Sequence, residues 1–418
     1  MLAPDDVEFT RRHVAAAAMA GVGGLVAGNA LWDEHLLCPE PDAPVWDADR
    51  ATDGGVPGHA YGYWGPPVVN DDAVYATTGY GIVAGGSGGV ARLDRETGAA
   101  SWAIEREPAG VGTPAVDGDA VYVPTGRNEL LGLDATDGSV RWRVDGDVRV
   151  GDAGDSFALD QPVPTGEGVV VQAFEGPTAS GFDGDHVLAG VDAADGSVRW
   201  THALPARTQV CGVDDGDVVV ACEDGSVRRV NGLTGAVEWR LSIGTAVTDV
   251  ARTVTDDVVV VLLDGHVLGG IDAEAGELDW RERVAPRRVE GLDVDDASVR
   301  GVGVAGDAAL AASASGDVVA VDRGSGEERW RYDAGAPAVA VDGATSRGVA
   351  VALDARGFAH VLERGDGTRI GRLATADANY GDTCGRRVRM ELLPRWFLTV
   401  RDGSAYVATH TMRRYDLP

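Results

Sequence analysis

The stretch DVVAVDRGSGEERW, residues 317–330, decides the fold. A valine-rich run reaches the acid Asp322, a short turn ends at Gly326, and Trp330 follows four residues later. Valine favours extended chain, glycine takes the positive φ that a tight turn needs, and an acid closing one strand accepts hydrogen bonds from the turn's backbone. The next strand then carries tryptophan at a fixed height. The same frame occurs as Asp94, Gly98, Trp102; Asp134, Gly138, Trp142; Asp192, Gly196, Trp200; Asn231, Gly235, Trp239; and Asp272, Gly276, Trp280. A degenerate copy, Glu363 and Gly367, has Gly371 in the tryptophan position. Valine-rich runs at 119–123, 217–221 and 256–262 precede the frame, and no amphipathic helix competes.

Self-similarity at this period means repeated four-stranded antiparallel units stacked around an axis. Small residues two before the acid, at Gly132, Gly190, Gly270 and Ala320, leave room for an indole between neighbouring sheets; Arg92 and Arg229 break that rule, so those two contacts must differ. Outward from the repeats, Trp46 reads as an outer strand without its sheet, and the segment 413–416 as a third strand without its partner. Joining them closes a ring. The expectation is an all-β, eight-bladed β-propeller over residues 44–418, with the N- and C-terminal strands paired in one blade; seven blades result if 375–404 builds no full sheet. With Trp64 left aside, successive tryptophans from Trp46 to Trp330 are 56, 40, 58, 39, 41 and 50 residues apart, so the first, third and sixth intervals carry extra loop.

The frame A/G-x-D-x-x-T/D-G-x-x-x-W resembles the tryptophan-docking motif of pyrroloquinoline quinone (PQQ) repeat propellers, over about residues 85–371. That family holds quinone-dependent dehydrogenases and a non-enzymatic, outer-membrane-assembly-factor-like (BamB-like) branch. The dehydrogenase pattern implies a cofactor at the ring axis between a tryptophan and a disulfide of adjacent cysteines, with calcium held by Glu, Asn and Asp. The cysteines here are Cys38, Cys211, Cys222 and Cys384, none adjacent. The resemblance therefore implies a non-catalytic scaffold with no cofactor that engages a protein partner; a quinone-dependent or other enzyme at the channel, and a polysaccharide-binding module, are the alternatives.

The chain carries 66 acidic residues against 36 basic ones, all arginine, for a formal charge of -30. A surplus this large repels phosphate backbones, which excludes nucleic acid, and anionic lipid, which leaves a membrane only through an N-terminal anchor or lipid. Acid-rich, lysine-free composition resembles proteins of salt-loving archaea. Arg11 and Arg12 precede an uncharged Ala/Gly-rich segment, so residues 1–32 read as a twin-arginine-like export signal or N-terminal anchor, followed by a linker at 33–43. The protein is expected to be exported to the cell surface or beyond, as a monomer. Cys38 after Leu36 and Leu37 is a candidate for lipid attachment.

No catalytic or metal set assembles from spacing. His186 and His266 fall six residues before their acids, which is repeat inheritance. Cys211 and Cys222 flank a hairpin at 214–217, open to a disulfide in an exported protein or to two buried thiols. Two segments stand out as an interaction surface. His59, Tyr61, Tyr63 and Trp64 gather aromatics in a chain poor in them, and Arg386, Arg387, Arg389 and Trp396 gather arginine in an acidic one; packing of an inner strand and ordinary strand alternation are their duller readings.

Overall fold

A computed structural model describes residues 42–48, 63–80, 88–106, 111–125, 129–144, 148–150, 161–175, 185–205, 208–212, 216–251, 258–285, 298–375, 396–409 and 411–418. They form eight antiparallel sheets arranged as the blades of a propeller. Blade 6 shows the plan: Val299–Ala305 lies innermost, then Ala308–Ser313, Asp317–Asp322 and the outer strand Glu328–Asp333. In blades 1 and 3 the inner position is shared by two short strands, Tyr63–Trp64 with Val68–Val69 and Val148–Val150 with Val163–Pro164. Blade 8 takes three strands from the C-terminal region, Phe397–Arg401, Ser404–Ala408 and Met412–Asp416, and its outer strand, Trp46–Ala48, from the N-terminal region. Trp46 pairs with Arg414 in that seam, so the eight-bladed expectation holds.

Burial explains the composition of each layer. Second strands such as Ala308–Ser313 and Val349–Asp354 are buried at every residue, because both of their faces meet neighbouring blades. Outer strands such as Leu278–Arg283 alternate, burying Trp280 and exposing Asp279, Arg281 and Arg283. Apolar clusters therefore fill the spaces between blades rather than one central core; one joins Val260 and Leu268 of blade 5 to Ala309 and Val319 of blade 6 around Trp280.

Each indole is wedged in such a space. Within its own blade Trp280 stands opposite Gly270, where a Cβ would come within 2.1 Å of the indole nitrogen. On its other side lies Gly326 of blade 6, at φ +75°, where a Cβ would fall 2.6 Å from the ring. The indole N–H then donates to Arg323 O of blade 6 at 2.7 Å. Trp46, Trp102, Trp142, Trp200, Trp239 and Trp330 donate in the same way to the residue after the next blade's acid position, at Arg95, Ala135, Ala193, Gly232, Ala273 and Arg364. Blade 7 carries Gly371 instead, and the vacated place is taken by Pro418, whose ring would meet a Gly371 Cβ at 2.5 Å.

Candidate interaction face

Because strand direction alternates, the two ends of the ring are built differently. One end carries the docking turns. Asp322 Oδ1 accepts from Ser325 N at 2.9 Å and from Gly324 N at 3.1 Å, and Asp94, Asp134, Asp192, Asn231 and Asp272 hold their turns likewise. An arginine one residue before the tryptophan grips the acid in three blades: Arg141 on Asp134 at 2.6 Å, Arg199 on Asp192 at 2.5 Å, and Arg329 on Asp322. Hydrogen bonds from Arg141 and from Thr136 N hold Asp134 down at about 2, and those from Arg329 and Ser325 N do the same for Asp322, also about 2. These carboxylates are spent on the turns.

The other end carries the hairpins between second and third strands and the connections from one blade to the next. Here the repeats diverge. In blade 7, Asp354 is fully enclosed and accepts at Oδ2 from Arg356 at 2.7 Å and from His360 Nε2 at 3.2 Å, while His360 Nδ1 lies 2.9 Å from the Tyr332 hydroxyl of blade 6. Burial alone would raise Asp354, but hydrogen bonding to His360 and the charge of Arg356 outweigh it, and its pKa falls below the ordinary value. Carboxylate, imidazole and phenol in a line can pass a proton along. His360 itself is 1% exposed, so the line reaches solvent only through the partly buried Tyr332. Beside it, the guanidinium groups of Arg356 and Arg372 lie over the Phe358 ring, 5.4 and 4.5 Å from its centre.

Blade 5 holds a cavity of about 350 Å³ at this same end. Its lining includes Leu263, Asp264, His266, Val267, Arg281 and Arg283. Val267 stands between Leu263 and Arg283 in cross-strand register, so aliphatic and cationic groups share one row. Among the described residues no cluster of His, Cys, Asp and Glu could hold a metal ion.

The residues singled out from sequence fall differently. Trp64 is 0% exposed: its backbone N–H donates to Thr409 O of blade 8 and its ring is enclosed by the blade 8 to blade 1 core, so it belongs to packing and not to a recognition surface. Trp396 is partly buried against the cluster containing Val400 and Tyr415. The Tyr63 backbone lies in the inner strand of blade 1, whereas His59, Tyr61, Arg386, Arg387, Arg389 and Cys38 lie outside the described residues. The disulfide reading is corrected. Cys211 pairs with Val219 and Cys222 with Thr208, so the two thiols project from opposite faces of blade 4, into different clusters, and both are free. A three-residue offset along a strand reverses the face. The Tyr332, His360, Asp354 group was not read from sequence, because its members come from three strands of two blades; histidine and acid six apart around the turn at 354–358 is the local signal that could have suggested part of it.

Comparison with known proteins agrees with this architecture. The family model described as outer membrane protein assembly factor BamB matches residues 86–210 and 156–300. A protein named outer membrane protein assembly factor BamB from Burkholderia pseudomallei is 28% identical over 88% of this chain and 92% of its own length. The crystal structure of BamB from Moraxella catarrhalis superposes with a TM-score of 0.58 at 18% identity, over 84% of this chain and 94% of that one. The computationally designed protein Ika8 superposes with a TM-score of 0.63 at 14% identity, over 90% of this chain and 100% of its own, which speaks for the fold alone. With six complete docking frames, eight blades and a family model covering half its length, this chain belongs to the PQQ-repeat family of the outer membrane protein assembly factor BamB.

Proposed function

We propose that this protein is an exported, non-catalytic propeller scaffold that holds a protein partner at the cell surface by the end of the ring carrying the blade-to-blade connections. One observation carries the reading: the two ends of the ring are unequal. The docking-turn end repeats one geometry, with its acids and glycines engaged in holding the turns and indoles. At the opposite end the blades differ, with arginines over the Phe358 ring in blade 7 and the cavity of blade 5. Irregular connections on a rigid scaffold are where recognition residues concentrate. In sequence, His59 and Tyr61 fall between the strands Trp46–Ala48 and Tyr63–Trp64, and Arg386, Arg387 and Arg389 between Arg369–Ala374 and Phe397–Arg401; they remain proposed recognition residues. Arginine and aromatic side chains suit a binding hot spot.

Site-specific photo-crosslinking in native membranes at high salt tests this. A crosslinker at Arg372 or Thr245 is expected to capture one recurrent adduct, and one at Thr97 or Thr136 on the docking-turn end to capture none. Adducts from the turn end alone would overturn the assignment. Dye-linked alcohol oxidation by the purified protein supplied with PQQ and calcium would overturn the non-catalytic reading. The intact mass and amino terminus of protein from its native host decide whether residues 1–32 are cleaved and whether Cys38 carries lipid.

A further inference from the structure

We infer that the blade 5 cavity is a binding site for an aliphatic carboxylate, held by the guanidinium groups of Arg281 and Arg283 over the side chains of Leu263 and Val267. The inference deepens the scaffold reading, on which it rests only for where the carboxylate comes from.

Blades 5 and 6 differ in charge at equivalent positions. In blade 6 the arginine after the docking tryptophan, Arg331, is neutralised by Glu328 at 2.6 Å and by Asp317 at 3.7 Å. Asp317 pairs across the sheet with Asp333, whose Oδ1 accepts from Gly335 N. In blade 5 the equivalent arginine is Arg281, and all three acids are replaced: Leu278 stands for Glu328, Val267 for Asp317 and Arg283 for Asp333. Arg281 donates to Ile243 O at 3.1 Å and has no carboxylate partner, and Arg283 has no hydrogen bond or ion pair among the described residues. Two cations without a carboxylate partner among the described residues therefore sit side by side in a chain of net charge -30. They line a half-open cleft of about 350 Å³.

Parity fixes the chemistry. Arg281 and Arg283 alternate with Trp280 and Glu282, so both guanidinium groups project to the cavity side of the outer strand. Two adjacent guanidinium groups present paired donors suited to a planar carboxylate. The floor beneath them is aliphatic, with Leu263 1% exposed and Val267 half-buried, which suits a short alkyl group attached to that carboxylate. His266 adds an imidazole to the lining. Asp264, at φ +49° in the hairpin tip, is the one carboxylate there, and it opposes the ligand.

Ligand-observed NMR titration of the full chain in about 1 M NaCl, where screening suppresses long-range attraction, is the test. Isovalerate and N-acetylleucine are the probes, each against its amide. The acids are expected to bind about tenfold more tightly than the amides, as charge-assisted bidentate contacts require. Arg283→Ala, at an exposed position, and Val267→Asp, which restores the blade 6 acid, are each expected to weaken the acids about fivefold or more, Asp264→Asn to tighten them, and Arg331→Ala in blade 6 to change nothing. Tighter binding of N-acetylleucine than of isovalerate assigns the carboxylate to a polypeptide terminus, and the reverse assigns it to a free acid. Equal binding of acid and amide, or an Arg283→Ala variant that binds as the parent does, would falsify the site. These titrations need no partner protein, so their failure leaves the crosslinking result standing and the reverse also holds.

Discussion

Arg229 and Trp239 stand opposite one another on neighbouring strands of blade 4 and donate to one acceptor, the Ala273 carbonyl of blade 5, each at 2.9 Å. Arg414 and Trp46 repeat the arrangement at the seam of the ring, converging on Arg95 O at 3.0 and 2.9 Å. In four other blades the place of this arginine is glycine or alanine with the indole over it. The guanidinium thus joins the indole in the same inter-blade contact, which answers why arginine is tolerated at a position that otherwise demands a small residue. Arg92 differs again, reaching the Tyr75 hydroxyl at 3.3 Å and Ser101 Oγ at 3.2 Å within its own blade.

Arg229 also neutralises Asp217, which is 5% exposed and 2.7 Å away. Removing the cation leaves a buried carboxylate with only Asn231 Nδ2 and less counter-charge. Arg229→Ala is therefore expected to cost about 3 kcal/mol in urea unfolding, and Asp217→Asn in the same chain to recover part of it. Additive losses in the double variant would show that the two residues are not coupled.

The docking tryptophans should dominate stability. Trp280→Ala removes an indole enclosed by two blades and is expected to cost about 3–5 kcal/mol. Gly270→Leu should cost a similar amount by overpacking, since even a Cβ there meets the indole nitrogen at 2.1 Å. Gly270→Ala should be far milder, because Ala320 faces Trp330 at the equivalent place in blade 6. A Gly270→Ala loss as large as that of Gly270→Leu would contradict the equivalence of the two blades.

Two carboxylates give opposite pH dependences. Asp322 is held down at about 2 by Arg329 and the turn, so its contribution is present above the ordinary carboxylate value, about 4, and is lost as pH falls toward 2. Asp342, on the inner strand of blade 7, is pushed up to about 6 by burial, which outweighs the hydrogen bonds it accepts from Val400 N of blade 8 and Gly343 N. Its folded state favours the protonated form, so its contribution is full below about 4 and lost as pH rises through 6. Asp342→Asn keeps an acceptor for Val400 N and is expected to raise stability by about 2 kcal/mol at pH 8, with the gain vanishing near pH 4. Thermal melts across that range decide; a gain independent of pH would place the effect elsewhere.

What the sequence made legible was local. Acid, glycine and tryptophan recur within nine residues because one turn and one wedge fix their spacing, and the ring follows from counting them. The seam was legible from what each end of the chain lacked. Contacts between distant strands were not. Trp64 looked like a surface aromatic because nothing nearby in sequence reveals the Thr409 carbonyl and the Tyr406 ring of blade 8 that enclose it. The setting of His360 was not legible either, because Tyr332 comes to it from another blade. The two arginines of the blade 5 cavity gain meaning only when strand register shows which acids their blade 6 equivalents possess.

The net charge of -30 sets a further expectation. Carboxylates repel one another unless salt screens them, and the screening length shortens to about 3 Å near 1 M. The melting temperature is therefore expected to rise steadily with NaCl up to at least about 1 M, and to fall on dilution to about 0.1 M, where screening reaches 10 Å. A melting temperature indifferent to salt would remove self-repulsion from the account of this protein.

The two thiols of blade 4 provide a test of register itself. Cys211 is 2% exposed and burial pushes its pKa up to about 12, with a weak hydrogen bond to Val219 O the only opposing influence. Cys222 is 0% exposed and its thiol is raised as well, again by burial. A thiol must ionise to attack a reagent, so neither should be alkylated by iodoacetamide in the folded protein at pH 8, and both should be alkylated at once in urea. Peptide mapping without reductant, with cleavage at Asp214, Asp215 and Asp217 between the two cysteines, is expected to show Cys211 and Cys222 in separate peptides, because their side chains leave opposite faces of the sheet. A bridged peptide would require a slip of three residues between Thr208–Gly212 and Asp217–Cys222, an odd shift that would turn the buried faces of blade 4 outward. The sheet register and the state of these cysteines therefore stand or fall together.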